Sequence, residues 1–402
     1  MDKIGGNKMK RAFFMTVGTG IGLNEEKIKR LAHGLLTAII HYNPDKVIFF
    51  GSENSKATVE SIKRQYYESR REKFEGYEFV KIEDIDDFYE CYLKIEEKIK
   101  ENRDYEIIID YTSGTKTMTT SAAICAMLYQ KKLSMVAGKR GKNGVVQPGT
   151  EVVKEQNLFA AYNKFLFDRF KDTFNNYRFE EAKRYLKQIV ADEKTEYYDK
   201  IVDAYDAWDK FNHKKAEENL KGYKEKIFYN NKVFLHKLSN AKLKEEYLIP
   251  DLINNAWRRI EEGKYDDAVA RLYRCIEMIA QYKLKRDYDL EPSEINIIDL
   301  RSKPIENIEK YEVKQDENGI IRLALMEDYQ LLVDLKDELG KVIEDKEIKN
   351  LLQKRNLSIL AHGIMPIGKA NAERLLEKTI EVAKRVVENL EKKIELAKFP
   401  KL

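Results

Sequence analysis

The stretch that decides the fold is Glu106-Ile107-Ile108-Ile109-Asp110, followed at once by Tyr111-Thr112-Ser113-Gly114-Thr115-Lys116-Thr117-Met118. Three consecutive isoleucines form a short apolar run of the kind that becomes a strand buried on both faces. The small and hydroxyl-bearing residues after it predict a turn, and the alanine-rich residues 117–130 predict a helix. A strand that passes through such a turn into a helix is typical of a parallel α/β sheet.

The same alternation of strand and helix extends over the first third of the chain, where a doubly wound, mostly parallel sheet is predicted. The other predicted strands are residues 11–17, 46–50, 78–82 and 133–137, the other predicted helices are residues 25–42, 58–70 and 88–100, and residues 141–148 are predicted to be a hairpin or a linker edge.

From about residue 157 strand patterns vanish, and long segments repeat their apolar residues with a period near 3.6. The predicted helices are residues 179–189, 197–211, 256–283, 327–339, 345–362 and 369–396, with a loop-rich insertion at 288–318. The fold class expected is therefore an N-terminal α/β, Rossmann-like doubly wound sheet followed by an all-α region. We expect three domains: residues 1–155, a helical connector at 156–250, and a helical domain at 251–402.

Composition limits the function more than it identifies it. Hydrophobic residues at 43% suffice for sizeable cores, and the net charge of +4 permits RNA binding without indicating it. The three cysteines form no C-x-x-C pair, which argues against a disulfide framework and a thiolate zinc site. No apolar run reaches membrane-spanning length, and the polar N-terminus does not resemble a signal peptide, so we expect a cytoplasmic protein. Residues 1–8 are expected to be a disordered extension.

Three turns should meet at the carboxyl ends of the strands, where doubly wound sheets bind ligands. They are Thr16-Val17-Gly18-Thr19-Gly20-Ile21-Gly22, Gly51-Ser52-Glu53-Asn54, and the turn from Asp110 to Met118. Small residues let backbone N–H groups approach phosphate or ribose oxygens, and Lys116 adds positive charge beside a helix N-terminus. A dinucleotide fold is disfavoured, because Leu23 replaces the third glycine of G-x-G-x-x-G and no Walker lysine follows. A purely structural tight turn, or a well-capped helix start, remains the alternative at this point.

The second informative stretch is Arg355-Asn356-Leu357-Ser358-Ile359-Leu360-Ala361-His362-Gly363. If it is helical, Arg355 and His362 leave the same face, with their Cα atoms about 10 Å apart along the axis. Arginine suits the charge of a phosphate, and histidine moves protons near neutral pH, so the pair suggests metal-independent RNA cleavage. Gly363 stands where a helix would end, which places His362 near a helix C-terminus that favours imidazolium. The alternative is a capping histidine beside an exposed arginine.

The turn Thr112-Ser113-Gly114-Thr115-Lys116-Thr117-Met118 resembles the signature of the CARF domain, the CRISPR-associated Rossmann-like sensor of type III systems. The resemblance covers roughly residues 10–155. It implies a symmetric dimer that binds a cyclic oligoadenylate, a tetra- or hexa-adenylate ring, across its axis. The pocket residues that it implies are Gly18, Thr19, Gly20, Ser52, Thr112, Ser113, Gly114, Thr115, Lys116 and Met118. If the domain cleaves its own ligand, Thr19 and Thr115 are the candidates for positioning a ribose 2′-hydroxyl.

Arg355-Asn356 followed by His362-Gly363 resembles the active site of HEPN ribonucleases, in which two protomers bring their motifs into one cleft. The resemblance implies attack of the RNA 2′-hydroxyl on the adjacent phosphorus, with a 2′,3′-cyclic phosphate and a 5′-hydroxyl as products. His362 would transfer protons, Arg355 would stabilise the pentacoordinate phosphorus, and Asn356 would orient the histidine or bind phosphate. No metal or other cofactor is implied.

A further stretch, Tyr265 to Glu277, resembles the opening helix of the same nuclease domain. Arg271 and Arg274 lie three apart in it and are candidates for guiding RNA phosphates, although pairing with Asp267 or Glu277 is the favoured reading. The neighbouring basic pair Arg258-Arg259 has no assigned role.

The leading hypothesis is a cyclic-oligoadenylate-activated, metal-independent endoribonuclease of single-stranded RNA in type III CRISPR antiviral defence. It would act as a homodimer, without a membrane and without a stable complex with other proteins. The alternatives are a non-catalytic nucleotide-sensing scaffold or regulator, and a ring nuclease that degrades the cyclic signal.

Overall fold

The computed structural model describes residues 9–20, 24–139, 146–305 and 307–402. The chain divides into two compact units between Phe165 and Leu166, and each is described by itself below. The extension expected at residues 1–8, the end of the first glycine-rich turn at 21–23, and most of the expected hairpin, residues 141–145, lie outside the described residues.

The first unit alternates strands and helices. Its described strands are β1 (Arg11–Thr16), β2 (Lys46–Gly51), β3 (Tyr77–Lys81), β4 (Glu106–Asp110), β5 (Lys132–Ala137) and β6 (Val152–Gln156). Its described helices up to β6 are α1 (Glu25–Tyr42), α2 (Lys56–Arg70), α3 (Phe88–Glu101) and α4 (Lys116–Leu128).

The strands form one sheet in the order β3-β2-β1-β4-β5-β6. The first five run parallel, and β6 pairs antiparallel with β5. From β1 the chain moves outward to β3 and then returns to place β4 on the other side of β1, with Phe13 in register with both Val47 and Ile108. The strand order therefore reverses between β1 and β4, and this is the point where doubly wound sheets bind ligands.

Both faces of the sheet are covered. Phe13 and Met15 of β1 point into a core shared with α1, whereas Phe14 points into the opposite core, which α3 and α4 cover. Because successive side chains of a strand point to opposite faces, each central strand must be apolar at every position. Full burial of a side chain such as Phe13 or Phe14 stabilises the fold by roughly 1.5–3 kcal/mol relative to exposure.

The predicted sheet is confirmed, since all five predicted strands are present and the order is that of a Rossmann-like fold. The prediction lacked β6, whose residues Val152-Val153-Lys154-Glu155-Gln156 are mostly exposed at the edge of the sheet. Edge strands carry polar side chains and lack the two-sided apolar pattern, so β6 resembles a loop in sequence.

The chain after β6 is mainly helical. The helices are α5 (Leu158–Asn175), α6 (Phe179–Leu186), α7 (Lys194–Asp209), α8 (His213–Leu220), α9 (Tyr229–Asn240), α10 (Glu245–Glu261), α11 (Tyr265–Tyr288), α12 (Ile297–Arg301), α13 (Glu309–Glu312), α14 (Leu325–Asp334), α15 (Lys346–Asn356), α16 (Lys369–Lys384) and α17 (Leu390–Ala397). A two-residue pair, β7 (Ile295–Asn296) and β8 (Ile320–Ile321), lies in the predicted loop-rich insertion and just beyond it.

Two predicted helices are each divided in the structure. Residues 256–283 span α10 and α11, which are separated at Gly263, where φ is +75°. Residues 369–396 span α16 and α17, and Asn389 between them has a φ of +51°. Gly263 follows the end of α10, whereas Asn389 precedes the start of α17, and the sequence period alone revealed neither break because the apolar stripe continues on both sides.

Helices α10, α11, α14, α15 and α16 share one large core that includes Ile249, Leu272, Tyr329 and Leu375. All three cysteines are buried and free. Burial raises the pKa of the Cys91 thiol to about 11 and that of Cys125 to about 12, and it also raises the pKa of Cys275. Within the described ranges, no helix has the length and apolar character needed to cross a membrane.

Candidate functional site

The first candidate site is the carboxyl edge of the sheet around the reversal between β1 and β4. The turn after β1 lies against the turn after β4, where the Gly18 N–H donates to Ser113 Oγ at 3.1 Å and the Thr16 hydroxyl donates to the Ser113 carbonyl. Thr58 Oγ1 of α2 donates to the carbonyl of Gly18 at 2.8 Å. These bonds lock the first and third predicted turns into one surface.

Glycine at two positions permits this close packing. A Cβ added to Gly18 would lie 3.3 Å from the Gly114 backbone, which is tight. A Cβ added to Gly51 would lie 2.6 Å from the carbonyl oxygen of Val17, which the backbone could not accommodate without moving. Gly51 therefore brings the second predicted turn against the first.

Some hydroxyl groups of the predicted pocket residues are already hydrogen-bonded within the fold. Thr112 Oγ1 accepts from the Val136 N–H at 2.7 Å. Thr115 caps α4 by accepting from the Met118 N–H at 3.2 Å, and its hydroxyl donates to the carbonyl of Ile85 at 2.7 Å. The side chain of Met118 is buried in the core between the sheet and α4.

The remaining predicted residues present groups to solvent. Gly20 and Gly114 are exposed with φ of +70° and +122°, and Lys116 is exposed at the first residue of α4. Thr19 is half-buried, as is Ser52, whose hydroxyl lies 3.3 Å from that of Ser55. The structure thus brings the ten predicted positions to one edge of the sheet, and Lys116 stands at a helix N-terminus, where an anion is favoured.

Directly beneath this edge lies a buried acid, Asp110, at the end of β4. Its side chain is fully buried, one oxygen accepts from the Thr112 N–H at 3.0 Å, and the other oxygen has no partner among the described residues. Burial raises the pKa of Asp110 to about 6. An acid this close to neutrality under the reversal point ties the edge to pH.

The second candidate site is the end of α15. The prediction of a helix over residues 345–362 is wrong at its C-terminal end, because α15 stops at Asn356 and residues 357–362 form turns. Arg355 and His362 therefore do not share a helix face. The turns fold back instead, so that the His362 N–H donates to the Asn356 carbonyl at 3.2 Å and the Met365 N–H donates to the Leu357 carbonyl at 3.0 Å.

Arg355 is held over an aromatic ring. Its guanidinium carbon lies 4.5 Å from the ring centroid of Tyr273, which is on α11. One terminal nitrogen donates to Asn356 Oδ1 at 3.3 Å, and the buried Nε has no partner among the described residues. Asn356 and His362 are exposed. The backbone thus gathers the three predicted catalytic residues at one helix end, with two of the side chains open to solvent.

Three residues shape this site in ways that the sequence analysis did not predict: Tyr273 on α11, and Ser358 and Gly363 in the turn. Tyr273 stacks on Arg355, and Ser358 is fully buried with an unbonded hydroxyl. A Cβ on Gly363 would lie 2.0 Å from the Leu357 carbonyl oxygen, so only glycine fits this backbone. Gly363 was read only as a helix stop, and the other two carry no local signal, since each acts through a residue distant in sequence or hidden by the fold.

The turn also carries apolar side chains into solvent. Ile359 is 72% exposed and Ile364 is 88% exposed, and Leu357, Leu360 and Met365 are exposed with them. Five large apolar side chains on one short exposed segment are unusual for a surface that faces only water.

The four arginines whose roles could not be decided from the sequence all form ion pairs within the fold. Arg271 pairs with Asp267 at 2.9 Å and Arg274 with Glu277 at 2.6 Å, which confirms the favoured structural reading. Arg258 and Arg259 both pair with Asp209, at 2.9 and 2.7 Å, and the Arg258 guanidinium lies 3.8 Å from the ring centroid of Phe399. In the part of the chain that the structure describes, no group of three His, Cys, Asp or Glu side chains is placed to hold a metal ion.

Comparisons with known proteins agree with both halves of this description. Residues 162–249 match the family model described as the Csm6 6H domain, and residues 237–386 match the model described as the Csm6 HEPN domain. No curated protein matches the chain. Among solved structures, Enterococcus italicus Csm6 bound to cyclic hexa-2′-fluoro-hexa-dAMP is similar, with a TM-score of 0.59 and 15% identity over 96% of this chain and 98% of that one.

The fold and the matched domains define a protein in which a Rossmann-like sheet precedes a helical endoribonuclease unit of the HEPN class. The two Csm6 models together span residues 162–386, more than half of the chain. The chain belongs to the Csm6 family, the accessory ribonucleases of type III CRISPR antiviral defence.

Proposed function

We propose that this chain is a single-strand-specific endoribonuclease that a cyclic oligoadenylate, a tetra- or hexa-adenylate ring, switches on, and that it cleaves RNA without a metal ion in the cytoplasm. The observation that carries the proposal is the turn at the end of α15, which gathers Arg355, Asn356 and His362 with Arg355 held against Tyr273. The similarity to a Csm6 whose structure holds a cyclic hexanucleotide analogue supports the nature of the signal.

The division of labour proposed for the chain is a sensor at residues 1–155, a connector at 156–250 and the nuclease at 251–402. The position of the division between the two compact units and the start of the 6H match, at residue 162, support a boundary near the first of these limits. In the sensor, backbone groups of Gly20 and Gly114 and the side chains of Thr19, Ser52 and Lys116 are the groups proposed to meet a ribose-phosphate ring, whereas the N–H and the carbonyl of Gly18 are bonded to Ser113 and Thr58.

The proposed reaction is an internal transfer. The RNA 2′-oxygen bonds to the adjacent phosphorus as its proton leaves, the bond from phosphorus to the 5′-oxygen breaks, and that oxygen takes up a proton. The products are a 2′,3′-cyclic phosphate and a 5′-hydroxyl, and no water is consumed. The imidazole of His362 is the proton carrier, and the guanidinium of Arg355 supplies the positive charge that the pentacoordinate phosphorus requires. Those two functions are the ones that a divalent ion would otherwise perform.

A second copy of the chain completes the proposed site. The exposed apolar residues Leu357, Ile359, Leu360, Ile364 and Met365 flank the catalytic turn and would be covered in a homodimer. Two turns facing one another would supply two imidazoles to one phosphodiester, one for each proton transfer.

The testing experiment measures cleavage of a fluorogenic single-stranded RNA in EDTA, with rings of three, four and six adenylates added separately. We expect one ring size to start cleavage, and His362→Ala to reduce the rate by about 10²–10⁴-fold, because a general acid or base is lost. His41→Ala is the control, since His41 is exposed near the C-terminus of α1 and belongs to neither set of candidate site residues. The proposal is overturned if a ring binds but no ring starts RNA cleavage, or if His362→Ala cleaves RNA as fast as the unaltered chain.

A further inference from the structure

We infer that the segment from α8 to the start of α10, residues 213–244, is a binding surface for the phosphate backbone of single-stranded RNA, separate from the catalytic turn. The inference deepens the proposed function and rests on it for the identity of the substrate. The juxtaposition that carries it is a concentration of lysines without ion pairs, three of which line a groove between α8 and α9.

The charge of the molecule is concentrated in this segment. Residues 213–244 contain nine lysines, no arginine and three acidic residues, a formal net charge of +6, whereas the whole chain carries +4. The remaining residues are therefore slightly acidic together. A local concentration of charge of this kind sets the potential that a polyanion meets, even when the net charge of the chain is small.

These lysines also differ from others of the chain in their partners. Lys63 pairs with Glu60, and Lys378 lies within 4 Å of Asp345, Glu347 and Glu381. Within the described ranges, none of the nine lysines of residues 213–244 forms an ion pair, and eight of them are exposed. The ninth, Lys232, is half-buried and donates to the carbonyl of Tyr223 at 2.6 Å.

Two of the three glutamates in the segment are engaged by other groups. Glu217 accepts from Ser239 Oγ at 2.5 Å and lies 3.6 Å from His236 Nδ1. Hydrogen bonds from backbone N–H groups and from Tyr197 lower the pKa of Glu225. All three glutamates together offset only three of the nine lysine charges, and the remaining positive charge favours an external polyanion.

The lysines stand over a groove between α8 and α9 with a volume of about 570 Å³. Lys214 and Lys221 line it from the α8 side and Lys232 and His236 from the α9 side. Glu217 and Glu218 of α8 also line it, together with Leu220 and Leu235. Tyr229, the first residue of α9, is 64% exposed, and Ile227, between the two helices, is 45% exposed. Basic grooves beside exposed aromatic groups are the common means of holding single strands, because the lysines follow the backbone while bases stack on the rings.

The test compares two triple variants in the full-length His362→Ala background, so that RNA is not cleaved while binding is measured. The first removes three unpaired charges of the surface: Lys214→Gln, Lys221→Gln and Lys224→Gln. The matched control removes three exposed lysines that pair with glutamates elsewhere in the second unit: Lys200→Gln, Lys341→Gln and Lys384→Gln. Both change the net charge equally, so any difference between them reports position.

Binding of a long fluorescein-labelled polyuridine RNA is followed by anisotropy at KCl concentrations from roughly 50 to 200 mM. We expect the surface variant to bind roughly ten- to a hundredfold more weakly, and its salt slope to flatten by about 2, because each lost phosphate contact removes about 0.7 from the slope on a single strand. The control should bind like its parent, and a short RNA that cannot span the surface should bind all three proteins alike.

Equal weakening in both triple variants, or no weakening in the surface variant, would overturn the inference, and the second result would leave an acidic protein as the partner class. If the triple variant does not fold, the double variant Lys214→Gln with Lys221→Gln is measured in the same way. The outcome is independent of ring activation: if the surface binds RNA but the wild-type chain is inactive with every ring, only the proposed gating is contradicted.

Discussion

The two candidate sites are built in opposite ways. At the sheet edge, side-chain hydroxyls of Thr16, Ser113 and Thr115 bond across neighbouring turns, and Lys116 stands exposed beside them. At the end of α15 the turn is closed by backbone bonds alone, and the side chain of His362 is left exposed. The difference teaches that the edge is a preformed surface that a ligand meets as it stands, whereas the turn offers reactive groups that RNA and a second copy must still fix in place.

The largest expected effect comes from substituting Arg355 at the end of α15, which leaves the candidate site at the sheet edge unchanged. Arg355→Ala removes the charge that faces the phosphorus, and we expect single-turnover cleavage to fall about a thousandfold. Arg355→Lys keeps the charge but loses the planar group that stacks on Tyr273. Its cleavage rate should therefore lie between that of the parent and that of Arg355→Ala. Ring binding, measured by calorimetry, should be unchanged in both variants. A lysine variant as fast as the parent would contradict the role given to the stack.

The same substitution made at each site should have different consequences. Gly363→Ala would place a Cβ 2.0 Å from the Leu357 carbonyl oxygen, so the backbone of the turn must shift, and cleavage should fall about a hundredfold with little loss of stability. Gly51→Ala meets the Val17 carbonyl inside the sheet, where overpacking should lower the free energy of unfolding by about 1–3 kcal/mol. Denaturant unfolding and cleavage rates together separate the two. If both variants lost stability equally, the contrast between the sites would be wrong.

The buried acid of the edge gives a pH test. The pKa of Asp110 is raised to about 6 from its ordinary 3.8, so the native state holds the proton more tightly than the unfolded chain does. Asp110 therefore does not lower the free energy of unfolding below pH 4, where it is protonated in both states. As pH rises through 6, its ionisation lowers the free energy of unfolding by about 3 kcal/mol. Asp110→Asn should stabilise the protein at pH 7.5 and have much less benefit at pH 4. A difference that does not vary between those pH values in urea melts would refute the assignment.

The smallest expected effect concerns the apolar rim of the turn. Ile364→Asp places a charge on a side chain that is 88% exposed, and we expect the proposed dimer to weaken about tenfold. Sedimentation velocity over a concentration series measures this directly, and cleavage should recover at high protein concentration. Val313→Asp, at a residue 83% exposed on another part of the second unit, is the control. Equal dissociation of both variants would place the dimer contact elsewhere.

Much of the fold could be predicted because its signals are local. Strands such as Glu106–Asp110 are buried on both faces, so the three central positions, Ile107, Ile108 and Ile109, are all apolar and the run stands out from its surroundings. The three turns of the edge could be gathered in advance, because parallel strands place their carboxyl ends together. Strand β6 could not, since it is exposed, charged and held only by pairing with β5.

Less could be predicted of the turn that follows α15. The residues Leu357 to Ala361 continue an apolar helical pattern, so no local signal places the end of α15 at Asn356. The bonds that close the turn join Met365 to Leu357 and His362 to Asn356, beyond the reach of a helical ladder. The partner of Arg355, Tyr273, lies 82 residues earlier and appears only when α11 and α15 pack. Which hydroxyls of the edge are already bonded is likewise a matter of tertiary contact.

The burial of all three cysteines makes the chain a convenient object for spectroscopy. With Cys91, Cys125 and Cys275 buried and their thiol pKa values raised, maleimide reagents should leave the native protein unlabelled at neutral pH. A single cysteine introduced at an exposed position, such as Lys116 or Ile364, would then carry the only dye. Fluorescence from each position in turn would follow the sheet edge and the catalytic turn separately as a ring is added, and so time the passage of the signal from one to the other.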